Sequence, residues 1–185
     1  MKLTDYKEKV IHFIAIGGCS MSGLAILLHQ MGFKYIQGSD SADGKALVPL
    51  REMGMTIFVG HDAKQVENAE LVVYSAAISE SNCELHRARE LGIPCLRRDE
   101  LLGLISKLSR ECIAIAGTHG KTTTTGMTAQ IFEEAGRDPV IHMGGSLPLI
   151  GSSVKLGHGE EFITEACEYV DSFLALHPTC AVVLN

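Results

Sequence analysis

The residues best equipped for chemistry lie in one run, Ala116-Gly117-Thr118-His119-Gly120-Lys121-Thr122-Thr123-Thr124-Thr125. Its two glycines let a backbone turn tightly enough to aim N–H groups at phosphate oxygens. The lysine can neutralise β- and γ-phosphates, and a threonine hydroxyl is a ligand for Mg2+. Gly117, Thr118, His119, Gly120, Lys121, Thr122 and Thr123 are therefore expected to hold a nucleoside triphosphate, with Thr122 on the metal. His119 is assigned no side-chain role, since its backbone N–H is what such a loop needs. The strict phosphate-loop pattern has a glycine where this chain has Ile115, so the run is a variant of that pattern. Four threonines opening a helix are costly, because β-branched side chains lose χ1 freedom there, and a functional reason is expected for them.

A second glycine turn, Ala15-Ile16-Gly17-Gly18-Cys19-Ser20-Met21-Ser22-Gly23, stands where a dinucleotide fingerprint would stand. Of the three G-x-G-x-x-G positions only Gly17 is glycine; Ala15 and Ser20 fill the others. Asp40 closes the next expected strand, the place from which an acidic side chain reaches a ribose hydroxyl in dinucleotide folds. The spacing alone leaves two readings open, a nucleotide site or an ordinary α/β turn with a surface aspartate.

Both turns need a strand before them and a helix after them. Val10 to Ile16 is an apolar, β-branched run, and Met21, Leu24, Ala25, Leu28 and Met31 recur at helical spacing behind it. Strands are expected again at Lys34–Gly38, Thr56–Val59, Leu71–Tyr74 and Pro94–Leu96, with a helix from Asn82 to Leu91. After a polar and leucine-mixed stretch from Arg97 to Arg110 the pattern restarts: strand Cys112–Ala116, glycine turn, helix from Thr122 to about Ala135. Further strands are expected at Pro139–His142, Glu161–Glu165 and Thr179–Leu184. Strands alternating with helices imply α/β architecture with parallel sheets and right-handed crossovers. The domain boundary is placed near Ser109, giving a first domain over 1–108 and a second over 109–185. The second segment is short for a parallel sheet buried on both faces and reads as half a domain.

Composition narrows the classes. At 46% hydrophobic and 21% charged residues the chain is globular in character, and its 19 glycines suit several tight turns. A net charge of −6 argues against a nucleic-acid partner, which needs a basic surface. No apolar run approaches the roughly 20 residues of a membrane span, and the charged N-terminus lacks a signal-peptide core. The six cysteines, without a Cys-x-x-Cys pair, read mostly as small buried hydrophobes in a reducing compartment, so the cytoplasm is expected. The remaining histidines show no metal-ligand spacing, and nothing sets an oligomeric state.

Several further segments join the two turns: Gly38-Ser39-Asp40, Gly60-His61, Tyr74-Ser75-Ala76-Ala77-Ile78, Gly92-Ile93-Pro94, Arg97-Arg98, Glu165-Ala166-Cys167-Glu168 and Asp171-Ser172-Phe173-Leu174. Together they resemble the Mur ligases almost from end to end. Within that family the chain is most similar to the alanine-adding branch, through the Met-Ser-Gly form of its Gly17 turn and the Thr-His-Gly-Lys-Thr form of its Gly117 turn.

The resemblance implies a Rossmann-like first domain that binds UDP-N-acetylmuramate, then the first half of a P-loop ATPase domain. Gly18, Ser20, Met21 and Ser22 would line the pyrophosphate, with Asp40 and His61 near the ribose and uracil. Glu165 would share Mg2+ with Thr122, and Lys121 would steady the transferred phosphoryl group. The implied reaction passes the ATP γ-phosphate to the muramate carboxylate, and L-alanine then attacks the acyl phosphate to form an amide of a peptidoglycan precursor. A sibling activity, attaching a recycled murein peptide to the same sugar nucleotide, and a non-catalytic nucleotide-binding or UDP-sugar-binding module remain as alternatives. The family's acidic-x-Asp-His segment and its C-terminal domain have no counterpart in these residues, so the chain alone is expected not to form the amide bond.

Overall fold

In the computed structural model, which describes residues 1–147 and 150–185, the apolar run after Lys9 forms β1 (Val10–Ile14). The glycine turn follows, then α1 (Cys19–Gln30), β2 (Tyr35–Asp40), the short α2 (Val48–Glu52) and β3 (Thr56–Val59). Next come β4 (Leu71–Tyr74), α3 (Cys83–Glu90) and β5 (Cys95–Arg97). These strands make a five-stranded sheet in the order β3-β2-β1-β4-β5, parallel throughout. Because the strand order reverses at β1, the loop after β1 opens at the switch point where doubly wound sheets bind ligands.

Strand alternation sorts the core of this sheet. Ile11 and Phe13 are fully buried on one face of β1; His12 and Ile14 are fully buried on the other. Ile14 packs with Val66, Val72, Leu85 and Ala88, which seats α3. On α1, Leu24, Leu27 and Leu28 are fully buried, each contributing roughly 1.5–3 kcal/mol by the usual burial scale. Asn82 caps α3, its Oδ1 accepting from the N–H groups of Glu84 (2.9 Å) and Leu85 (3.1 Å).

The chain divides into two units, Met1–Leu101 and Leu102–Asn185, and the division falls inside α4 (Arg98–Ser106), ahead of the boundary expected near Ser109. Leu101, Leu102 and Ile105 are the buried stripe of this helix, in the stretch whose sequence reads as merely polar and leucine-mixed. Gly103 in the same helix leaves no alternative, since a Cβ there would collide with the Ala175 carbonyl oxygen.

The second unit holds β6 (Glu111–Ala116), α5 (Lys121–Glu134), β7 (Val140–Leu147), β8 (Ser152–Lys155), β9 (Glu161–Ala166) and β10 (Cys180–Val183). Its sheet runs β10-β6-β9-β7-β8, parallel except for the antiparallel pair β7–β8. β8 lies in a stretch for which the sequence pattern predicts no strand. Ala129 of α5 packs against Ile113, Ile115, Ile141, Met143 and Ile163 of the sheet. Over the opposite face a hollow of about 390 Å³ remains, lined in part by Ala114, Ala166, Phe173, Leu176 and Val183.

The cysteines depart from expectation. Only Cys112 is buried, and burial pushes its thiol up to about 11. Cys19 and Cys83 are the first residues of α1 and α3, Cys180 lies on the edge strand β10, and all three are exposed.

Candidate nucleotide-binding sites

At the end of β6 the chain turns through Gly117 (φ 145°) and Gly120 (φ 84°), both in the region that favours glycine, and Gly120 caps α5. The N–H groups of Thr118 and His119 converge on one oxygen, Asn185 Oδ1, at 2.9 and 3.1 Å. Two amides aimed at one acceptor beside a helix N-terminus make a cradle for an anionic oxygen. Lys121 curls over the loop, its Nζ 2.5 Å from the Gly117 carbonyl oxygen, 3.4 Å from that of Thr118 and 2.8 Å from Glu168 Oε2. That lysine holds the exposed Glu168 carboxyl below the usual carboxylate range. Sequence reasoning assigns no role to Asn185 or Glu168. Glu168 sits inside the Glu-Ala-Cys-Glu segment, but its contact spans 47 residues of chain that no local pattern announces.

Thr122 and Thr123 are exposed at the start of α5, whereas Thr125 is fully buried, so the threonine run is partly core. Thr122 and Glu165 approach adjacent residues of β7, Gly145 and Gly144. A Cβ on Gly145 would touch Thr122 Cγ2 at 3.5 Å, and a Cβ on Gly144 would crowd Glu165 Oε2 at 3.1 Å. The Gly144 N–H donates to Glu165 Oε1 at 3.0 Å, which orients the carboxylate. Sequence reasoning misses this Gly-Gly pair, though two glycines ending an apolar run do signal a close backbone approach. A hydroxyl and a carboxylate are the hard oxygen donors that Mg2+ takes alongside phosphate, so the residues fit that ion.

In the first unit the turn after β1 is held by Asp40. Its Oδ2 accepts from the Gly17 N–H at 2.8 Å, and a Cβ on Gly17 would strike the same oxygen. Ala15 takes φ 63°, a conformation glycine would adopt without strain. Among the described residues no side chain caps α1 at Gly18, and Arg98 Nη1 donates to Ser20 Oγ at 3.1 Å, which brings a guanidinium to this helix end. Ser22 is half-buried, its hydroxyl donating to the Cys19 carbonyl oxygen at 3.0 Å; Met21 is 2% exposed, and its side chain lies against Gly18, where a Cβ would meet Met21 Cγ at 3.7 Å. His61 follows Gly60, whose N–H donates to the Asp40 carbonyl oxygen at 2.7 Å, placing the imidazole beside the same strand end. The structure thus groups Gly18, Ser20, Ser22, Asp40 and His61 around the strand ends of one unit, and Gly117 to Thr123 with Glu165 in the other.

Two α/β units, each carrying a strand, a glycine turn and a helix N-terminus, define the class of α/β proteins with a candidate anion site at the strand ends of each unit. The family pattern described as "Mur ligase family, catalytic domain" matches residues 10–110. A UDP-N-acetylmuramate–L-alanine ligase of Acetivibrio thermocellus is 48% identical over 183 residues, 99% of this chain and 39% of the relative. The chain belongs to the Mur ligase family. The crystal structure of a UDP-N-acetylmuramate–alanine ligase from Thermotoga maritima superposes with a TM-score of 0.84 at 29% identity, covering 95% of this chain and 41% of that one. A UDP-N-acetylmuramate:L-alanyl-γ-D-glutamyl-meso-diaminopimelate ligase from Neisseria meningitides gives 0.87 at 28% identity, covering 95% and 60%. The chain therefore spans about two fifths of the length of the curated relatives it matches.

Proposed function

We propose that these residues supply the UDP-sugar-binding and ATP-phosphate-binding parts of a cytoplasmic, ATP-dependent ligase that joins L-alanine to UDP-N-acetylmuramate in peptidoglycan synthesis. The observation that carries this reading is the convergence of the Thr118 and His119 amides on one oxygen beside Lys121, at the N-terminus of α5. In the proposed site Gly117 to Thr123 wrap the phosphates of ATP, and Thr122 and Glu165 hold Mg2+. Lys121 exchanges Glu168 for the γ-phosphate and offsets charge that spreads over the transferred phosphoryl group. ATP supplies the phosphoryl group that activates the muramate carboxylate as an acyl phosphate, and amide formation with the amino acid releases phosphate. Gly18, Ser20, the Met21 backbone, Ser22 and Arg98 face the diphosphate of the sugar nucleotide, with Asp40 and His61 toward the nucleoside. Residues 1–108 and 109–185 are proposed as the two functional domains.

The peptide-attaching reading draws on the TM-score of 0.87 with the Neisseria ligase, but 48% identity to alanine ligases against 28% to that structure favours L-alanine. Calorimetric titration of the chain with UDP-N-acetylmuramate and with Mg-ATP tests the proposal. Binding of both supports it; binding of the sugar nucleotide alone leaves a UDP-sugar module, and of Mg-ATP alone a P-loop protein without ligase chemistry. An amide-formation assay on a polypeptide of the relatives' full length that carries these residues, offered L-alanine or a tripeptide, separates the two ligase activities.

A further inference from the structure

Beneath the strand ends of the first unit lies a buried carboxylate, Glu84, that none of the roles above uses. Its side chain is fully buried in the first turn of α3, against Ser39, His61 and His12. Ser39 Oγ donates to Glu84 Oε2 at 2.6 Å, and His61 Nδ1 stands 3.0 Å from the same oxygen. His12 Nε2 stands 3.7 Å from Glu84 Oε1, within ion-pair reach though too long for a hydrogen bond. The other nitrogen of His12, Nδ1, is 3.2 Å from Gln37 Nε2, an amide that can only donate, so the proton of the neutral His12 ring belongs on Nε2, facing Glu84. Burial pushes the Glu84 carboxyl up, but the nearby His12 together with the hydrogen bonds to Ser39 and His61 outweighs it and holds the group below its ordinary value.

This arrangement decides which nitrogen of His61 carries its proton. Nδ1 has two neighbours, the Glu84 carboxylate and, at 3.1 Å, the Ser39 oxygen, whose single hydrogen is already spent on Glu84. Both can only accept, so Nδ1 must donate, and the neutral ring is left with an unprotonated Nε2. Nε2 has no hydrogen-bond partner among the described residues, on a side chain that is 23% exposed.

We propose that Glu84, with Ser39, is a positioning residue that locks His61 as the Nδ1–H tautomer, so that His61 Nε2 accepts a hydrogen bond from a donor on the bound nucleoside. This rests on the reading of the first unit as a nucleoside diphosphate site. The donor is a ribose hydroxyl or the imide N–H of a uracil ring. A base that offers an acceptor in place of that imide, as cytosine does, meets lone pair against lone pair.

The experiment is a long-range 1H–15N spectrum of the imidazoles in the 15N-histidine-labelled chain at neutral pH, with and without saturating UDP, 2′-deoxy-UDP, 3′-deoxy-UDP and CDP. The expected result is a protonated Nδ1 and an unprotonated Nε2 on His61. UDP should shift Nε2 in the direction of hydrogen-bond acceptance, and the analogue that lacks the donor should fail to. Glu84→Gln, which can turn an NH2 toward Nδ1, should mix or invert the tautomers and weaken UDP about tenfold. Ser39→Ala, which keeps the carboxylate, should retain the Nδ1–H form, so with the unaltered chain it preserves the test if Glu84→Gln does not fold. A His61 protonated on Nε2 while UDP still binds overturns the role of Glu84 and leaves the nucleotide site standing. An Nδ1–H His61 that does not respond to saturating UDP overturns the ligand assignment itself.

Discussion

Lys121 makes its contacts with groups that lose little when it is gone: two loop carbonyl oxygens and a glutamate whose side chain is 54% exposed. Its removal is therefore expected to cost the fold little, because an ion pair whose carboxylate is open to solvent is worth about 0–1 kcal/mol, although the Lys121 side chain itself is only 14% exposed. Its cost to ligand binding is larger, since a charge-assisted bond to phosphate inside an amide cradle has no substitute in the loop. Lys121→Ala is expected to weaken Mg-ATP more than tenfold in calorimetric titration, with a urea midpoint close to that of the unaltered chain. Glu168→Gln, which frees the lysine from its competing carboxylate, is expected to bind Mg-ATP at least as tightly. A large loss of affinity there would show that Glu168 contacts the ligand rather than only the lysine. At Ala15 the effect runs through the backbone. A left-handed alanine is strained by about 1–2 kcal/mol, and glycine returns some of the relief as chain entropy. Ala15→Gly should thus raise stability by roughly 0.5–1 kcal/mol in urea unfolding.

Between residues and units, the elements show what a local pattern can reveal. The β1–turn–α1 and β6–turn–α5 segments are legible because each is encoded in neighbouring residues: an apolar β-branched run, a glycine turn, then apolar positions at helical spacing. β8 is not, since Ser152–Lys155 is short, mostly polar and held by cross-strand pairing with β7. α4 is hidden by Gly103, a helix-weakening residue kept because Ala175 presses against it. The same limit applies to the sites. Glycines, Lys121, Thr122 and Asp40 can be picked by type and spacing, whereas Arg98 at Ser20 and Asn185 at the phosphate loop are joined only by tertiary contacts across 78 and 67 residues. A comparable long-range contact ties α5 to the β7–β8 pair. Lys155 Nζ bridges Glu133 (2.5 Å) and Asp138 (2.7 Å), and Asp138 also accepts from the His158 N–H at 2.9 Å. Hydrogen bonding from Lys155, then His158, holds the Asp138 carboxyl well below its ordinary value. A depressed folded-state value means stabilisation that is present above the unfolded carboxylate value, about 3.9, and lost as pH falls toward the folded one. Between about pH 4 and 2 the urea midpoint of the unaltered chain is expected to fall more steeply than that of Asp138→Asn, in which the titrating group is gone. Asparagine tolerates the φ of 49° at this position, so the comparison is not clouded by backbone strain.

For the molecule as a whole, the division at Leu101 and Leu102 puts one candidate site wholly in each unit. Gly18, Ser20, Asp40, His61 and Arg98 precede the division; Gly117 to Thr123, Glu165, Glu168 and Asn185 follow it. A ligand that binds only the native form of a unit stabilises that unit by mass action, about 2.7 kcal/mol at a hundred times its dissociation constant. Differential scanning calorimetry of the chain is therefore expected to show the two ligands acting on different parts of the heat-absorption profile: UDP-N-acetylmuramate on the unit with the sheet β3-β2-β1-β4-β5, Mg-ATP on the unit with β10-β6-β9-β7-β8. The assignment is made with variants, because Lys121→Ala should abolish the response to Mg-ATP while leaving the response to the sugar nucleotide, and Arg98→Ala should do the reverse. If Lys121→Ala removed both responses, the sugar nucleotide would depend on the phosphate loop. The placement of its diphosphate at Gly18, Ser20 and Arg98 would then be wrong, even though the family and the fold would stand.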